Sequence, residues 1–201
     1  MSIVSVDLRT SRWFAAIGGL LFLLAICQAL PAEWQAVLRY DRVRVTAGEV
    51  WRLLTPLLVH LGWAHLLLNA TGLVLISVIF GADWPAWRWL LALGLSGLVS
   101  TLGVHLANPE VYWLVGLSGA LHGLFAFGAV GWVRQGDRMG WLLLAGLAAK
   151  VLYEQWTGSL ALSEAVVGGP VIVGAHLWGS VGGLTAAGVD RLCFRPAPAP
   201  L

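Results

Sequence analysis

The sequence predicts an all-α membrane protein, a bundle of six transmembrane helices with a structured first outer loop. Three observations predict it. Of 201 residues, 59% are hydrophobic and only 11% are charged, whereas a soluble domain carries about 25% charged residues; mean hydropathy is +0.82. Six apolar runs, at 13–30, 64–80, 87–107, 115–133, 140–156 and 171–189, reach or approach the roughly 20 residues that cross a hydrocarbon core. Twelve tryptophans fall mostly near the ends of these runs, as at Trp13, Trp34, Trp84, Trp87, Trp113, Trp132, Trp141 and Trp156. An apolar ring with one polar N–H suits the membrane interface. The expected surroundings are a lipid bilayer; a net charge of +2 is too small to argue for a nucleic-acid partner.

The first run follows Arg9 and Arg12 and imitates a secretory signal, but further apolar runs follow, so it reads as the first spanning helix. Cys27 ends the stretch LLAIC, yet Ile26 stands where a lipoprotein signal needs a small residue. Cys27 and Cys193 together offer neither a disulfide framework nor a metal spacing. The polar stretch 31–61 is too long for a hairpin turn and too apolar for a free linker, so it is expected to be folded and partly interfacial. The tail RPAPAP after Phe194 reads as a short disordered end. The layout is thus a cytoplasmic N-terminus (1–12), a membrane domain (13–189) and a cytoplasmic tail (190–201).

Orientation follows from the arginines. With the N-terminus inside, the cytoplasmic segments hold Arg9, Arg12, Arg88, Arg134, Arg138, Arg191 and Arg195, and the outer ones only Arg39, Arg42, Arg44 and Arg52, all in the long loop. The excess of positive charge favours both termini in the cytoplasm. Helices two, four and six then start on the outer side, and residues a few positions into each share one depth, since five residues rise about 7–8 Å.

Polar side chains in spanning helices are costly and mark function by default. The early positions hold His65 and Asn69 on one face of helix two, Ser118 and His122 on helix four, and His176 on helix six, with His60 just before helix two. These are the parts for nucleophilic catalysis. A serine hydroxyl needs a base, a histidine serves near neutral pH, and a tetrahedral intermediate needs donors for its oxyanion. Ser118 is the expected nucleophile and His176 the base. The Asn69 amide, the His65 ring N–H and the Ser118 backbone N–H are the expected oxyanion hole. No Asp or Glu stands at that depth, so the reading is a dyad. Lys150, toward the outer end of helix five, reads as a charge that snorkels to the interface.

Bland readings compete. Serine and glycine in membrane helices usually serve close packing, and Gly119-xxx-Gly123 and Gly179-xxx-Gly183 are small-residue faces. Those faces would also let Ser118 and His176 approach. The sequence GLSG occurs twice; Ser96, in the first copy, lies mid-helix and far from any histidine, and is assigned to packing. No metal is expected. There is no HExxH, and His60 and His65 are five apart, which does not stack two ligands on one helical face.

At this point the residues resemble the rhomboid intramembrane serine proteases. HLGWAHLLLN is similar to the rhomboid second-helix motif, with His60, His65 and Asn69; GLSG at 116–119 to the nucleophile motif, with Gly116, Ser118 and Gly119; AHLWGSVGG to the AHxxGxxxG motif, with Ala175, His176, Gly179 and Gly183; VWRLLT to the Trp-Arg pair of the first loop, with Trp51 and Arg52. The similarity covers about residues 45–189 and implies a six-helix rhomboid-like bundle, a serine-type endopeptidase without cofactor, and transmembrane segments of other proteins as substrates. Four residues after the nucleophile, rhomboids often carry an aromatic residue that packs on the catalytic imidazole; here it is His122. The stretch SGALHGL and the short chain resemble the rhombosortase branch. That resemblance implies a bacterial inner-membrane enzyme, its site toward the periplasm, processing proteins with a C-terminal Gly-Gly motif, apolar helix and basic tail. The rival readings are a non-catalytic rhomboid-like protein that binds client helices, from which a serine or histidine is typically missing, and a transporter, which would need paired charges or broken helices at mid-depth.

Overall fold

The computed structural model describes residues 8–81 and 84–193, with the side chains of 8–12 outside that description. The Arg9 and Arg12 side chains, Arg195 and the RPAPAP tail therefore lie outside the described residues. Among those described, six long helices dominate: α1 (Leu8–Ala29), α4 (Trp63–Phe80), α5 (Ala86–Ala107), α6 (Ser118–Arg134), α7 (Met139–Thr157) and α9 (Val173–Cys193). Two of them, α4 and α5, are long and apolar enough to cross a membrane by length and composition; the apolar part of α1, Trp13–Ala29, is shorter. Short helices α2 (Ala32–Leu38), α3 (Arg42–Thr46) and α8 (Ala161–Val167), two 3-10 turns at Val50–Leu53 and Thr55–Leu58, and a two-stranded ribbon of β1 (Tyr40–Asp41) and β2 (Trp113–Leu114) make up the rest of the described elements. The ribbon is antiparallel, with Tyr40 opposite Leu114 and Asp41 opposite Trp113.

Glycine decides how the centre packs. A Cβ added at Gly179 would stand 1.9 Å from the Gly119 carbonyl oxygen, and one at Gly183 would stand 1.9 Å from that of Gly123. The two small-residue faces thus interlock, and α6 and α9 touch backbone to backbone. Ser96 of α5 seals the same seam: it is fully buried and lies 2.4 Å from where a Gly123 Cβ would stand. Gly183→Val is expected to strip α9 from α6 and cost at least the roughly 1–3 kcal/mol of ordinary overpacking. The check is thermal unfolding in detergent, with Gly188→Ala as control, because nothing lies within 4 Å of a Cβ there. An unchanged midpoint for Gly183→Val would contradict the seam.

The polar stretch after α1 is folded, and its arginines are spent on holding it. Arg42 donates to the carbonyl oxygens of Val104 (3.0 Å), His105 (2.7 Å), Asn108 (2.7 Å) and Val111 (3.0 Å). Two of these lie in the last turn of α5 and a third, on Asn108, caps it, so Arg42 closes the end of that helix. Arg52 is 2% exposed and donates to Ala36 O, Arg39 O and the Glu49 carboxylate. That hydrogen bond, more than any other contact, holds the Glu49 carboxyl below the usual carboxylate range. Arg44 pairs with the same carboxylate at 3.0 Å, and the Arg39 guanidinium lies 5.6 Å over the Trp113 ring. The loop's cluster of positive charge, an exception to the inside excess, therefore has local structural causes. The tryptophans divide. Trp63, Trp87, Trp141 and Trp156 are exposed at helix ends, whereas Trp89 is fully buried and donates to Ser77 Oγ at 3.1 Å.

Candidate active site

Ser118 opens α6, and the chain reaches it through Gly116 at φ +114°, a conformation that suits glycine. The glycine also makes room: a Cβ there would stand 2.8 Å from His65 Nε2. As the first residue of a helix with no side-chain cap, Ser118 presents a backbone N–H without an intrahelical partner, at the positive end of the helix dipole.

His176, in the first turns of α9, meets the serine. Its Nε2 lies 3.1 Å from Ser118 Oγ. Its other nitrogen, Nδ1, lies 2.9 Å from Glu154 Oε2. The expectation that no acid joins the cluster is therefore corrected: α7 brings Glu154 to His176, and the arrangement is serine, histidine and glutamate. Lys150, half-exposed, also joins the cluster. Its ammonium lies 2.6 Å from Glu154 Oε1 and 2.9 Å from His122 Nε2.

His122 stacks on His176, with ring centroids 4.0 Å apart and planes inclined by 13°. An ammonium only donates, so His122 Nε2 accepts from Lys150. The ring proton is then on Nδ1, which donates to the Ser118 carbonyl oxygen at 2.8 Å. Both nitrogens are occupied, and neither faces Ser118 Oγ.

His65 and Asn69 stand on the adjoining face of α4. The Leu61 N–H donates to His65 Nδ1 at 3.3 Å, which leaves the His65 ring proton on Nε2, beside Gly116. Asn69 is 4% exposed, and its Nδ2 is buried without a partner. A buried donor left unpaired costs free energy, and this one lines the same cleft as Ser118. His60 packs its ring edge-on against His65, 5.0 Å between centroids, and its backbone N–H is held by Gln28 Oε1 at 3.0 Å. Burial, and secondarily the neighbouring His65, pushes the His60 imidazole down to about 3, so it stays a neutral wedge behind His65. Gly119 lies against Ser100 Oγ and the Ala175 carbonyl. Trp51 is 49% exposed, and neither it nor Arg52 lines the clefts around Ser118; this pair belongs to the loop scaffold.

Two clefts meet at Ser118 and His65. One, about 600 Å³, runs between α4 (Leu68, Gly72, Ile76) and α7 (Leu142, Gly146, Leu147) and is roofed by α8. The other, about 360 Å³, opens beside Glu110–Gly116 and Pro170–Ile172. His122, Glu154 and His176 each offer a ligand atom within 4.8 Å of the others. Lys150 already donates to two of them.

The chain is similar to known proteins. The Rhomboid domain family model matches residues 47–191. The chain belongs to the rhomboid family. Similar rhomboids include the candidate rhomboid protease YdcA of Bacillus subtilis (strain 168), 36% identical over 101 residues, which are 48% of this chain and 51% of that protein. The rhomboid protease GluP of the same organism is 30% identical over 144 residues, 71% of this chain and 26% of that protein. This rhomboid thus spans about half the length of the first and about a quarter of the second.

Proposed function

We propose that this rhomboid is an intramembrane serine endopeptidase that cleaves transmembrane segments of other proteins. The observation that carries the reading is the 3.1 Å contact between Ser118 Oγ and His176 Nε2, at the junction of the two clefts. In the reaction His176 Nε2 takes the hydroxyl proton as Ser118 Oγ attacks the scissile carbonyl carbon. The carbonyl electron pair moves onto its oxygen, which the His65 and Asn69 donors and the Ser118 N–H receive. The tetrahedral intermediate collapses as His176 returns the proton to the leaving amine and the C–N bond breaks. Water from the loop-side cleft then hydrolyses the acyl-enzyme by the same steps. The apolar cleft between α4 and α7 suits entry of a helix from lipid.

The finer assignments belong to the same proposal. All six long helices span the membrane, with both termini cytoplasmic and Ser118 toward the periplasm of a bacterial inner membrane. The substrates carry a C-terminal Gly-Gly motif, apolar helix and basic tail, as the rhombosortase-like stretch SGALHGL suggests. Comparing proteins secreted with and without this gene tests the substrate class: tailed proteins should keep their C-terminal helices when the gene is lost. Unchanged tails, with cleavage of unrelated transmembrane substrates in liposomes, would refute the sorting role alone. Asn69→Ala and His65→Ala are expected to lower turnover roughly 10²–10³-fold, the cost of one oxyanion donor, while Ser118 still reacts with a small isocoumarin. A fully active Asn69→Ala protein would require an oxyanion hole built from other donors.

A further inference from the structure

We infer that Glu154 is a positioning residue for the base, completing a Ser118–His176–Glu154 relay, with Lys150 fixing which carboxylate oxygen faces the imidazole. The inference rests on the serine-protease reading above. The carboxylate is engaged at both ends: Oε2 receives His176 Nδ1 at 2.9 Å, and Oε1 receives the Lys150 ammonium at 2.6 Å. With the Nδ1 proton given to a carboxylate, His176 exists as the one tautomer whose Nε2 can accept from Ser118 Oγ. Lys150 also ties Glu154 to the stacked His122 through its 2.9 Å contact with Nε2. His122 of α6 and the Glu154–Lys150 pair of α7 therefore hold the His176 ring in plane and in tautomer. During catalysis the proton moves only between Ser118 Oγ, His176 Nε2 and the leaving amine. The Nδ1 proton stays on Nδ1, and Glu154 stays ionised opposite the transient imidazolium.

The two-ended grip makes Glu154→Gln diagnostic. Lys150 can only donate, so it draws the glutamine oxygen and turns the NH₂ toward His176 Nδ1. That forces the proton onto Nε2, where the ring cannot act as a base. The experiment measures kcat and KM on a transmembrane substrate in liposomes for wild type, Glu154→Gln, Lys150→Met and the double variant, with unfolding midpoints alongside. Glu154→Gln is expected to lose roughly 10³–10⁴-fold in kcat with KM and midpoint little changed, as a wrong-tautomer triad does. In the double variant the amide is free to turn its oxygen to Nδ1, so activity should recover at least about tenfold over Glu154→Gln. Lys150→Met alone frees the far carboxylate oxygen but leaves His176 Nδ1 donating to Glu154, so its loss in kcat should be at least about tenfold smaller than that of Glu154→Gln. A Glu154→Gln protein with near wild-type kcat, or a double variant no more active than Glu154→Gln, overturns the relay. A wild-type protein that neither cleaves nor takes up a fluorophosphonate on Ser118 would instead defeat the serine-protease reading itself.

Discussion

Ser118→Ala protein is expected to fold as wild type and to cleave nothing measurable. The substitution removes one oxygen from the end of a helix and keeps a small side chain beside the α6–α9 seam, so packing is preserved. Loss of a nucleophile costs several orders of magnitude in rate in serine hydrolases. Ser96→Ala is the matched control. That serine has the same flanking sequence, but it is fully buried, and its hydroxyl has no hydrogen-bond partner. It faces glycines of α6 and α9 rather than a histidine. Its loss should leave turnover unchanged. Cleavage retained by Ser118→Ala and abolished by Ser96→Ala would reassign the nucleophile to the other copy.

His176→Phe is expected to be inactive, whereas His122→Phe should stay within about tenfold of wild type, because a flat ring alone maintains the stack. The difference follows from the nitrogens. His176 presents Nε2 to the serine hydroxyl, while both nitrogens of His122 are committed, to the Ser118 carbonyl and to Lys150. An isolated i,i+4 pair on α6 would leave the choice open, since a side chain there reaches back over the preceding turn. The stacked geometry removes the ambiguity. An active His176→Phe protein beside a dead His122→Phe protein, on one substrate, would invert the roles.

Much of the architecture is legible in the amino-acid order because burial in lipid demands long apolar runs. The run 64–80 became Trp63–Phe80, and 87–107 became Ala86–Ala107. Polar residues stand out against such runs, which is why Ser118, His65, Asn69, His122 and His176 were visible before any contact was known. Glu154 and Lys150 were not, because a charge near a helix end reads as interfacial. The available signal was their i,i+4 spacing, which puts acid and base of α7 on one face. The seven-residue α8 was also missed. Its sequence ALSEAVV is too short for a periodicity, yet Ser163 and Val167 line the cleft beside α4. The structural role of the loop arginines was not legible either, since Arg42 reaches its carbonyls beside a β1–β2 pairing of residues 72 and 74 apart in the chain.

The central claim is that Ser118 is a nucleophile activated by His176. Its most direct measurement is to treat the purified protein in lipid with a fluorophosphonate and locate the adduct by mass spectrometry of the digested chain. The account predicts a single adduct on Ser118 that disappears in His176→Phe and persists in Ser96→Ala. An adduct on Ser96, or an adduct on Ser118 formed equally fast without His176, would contradict it.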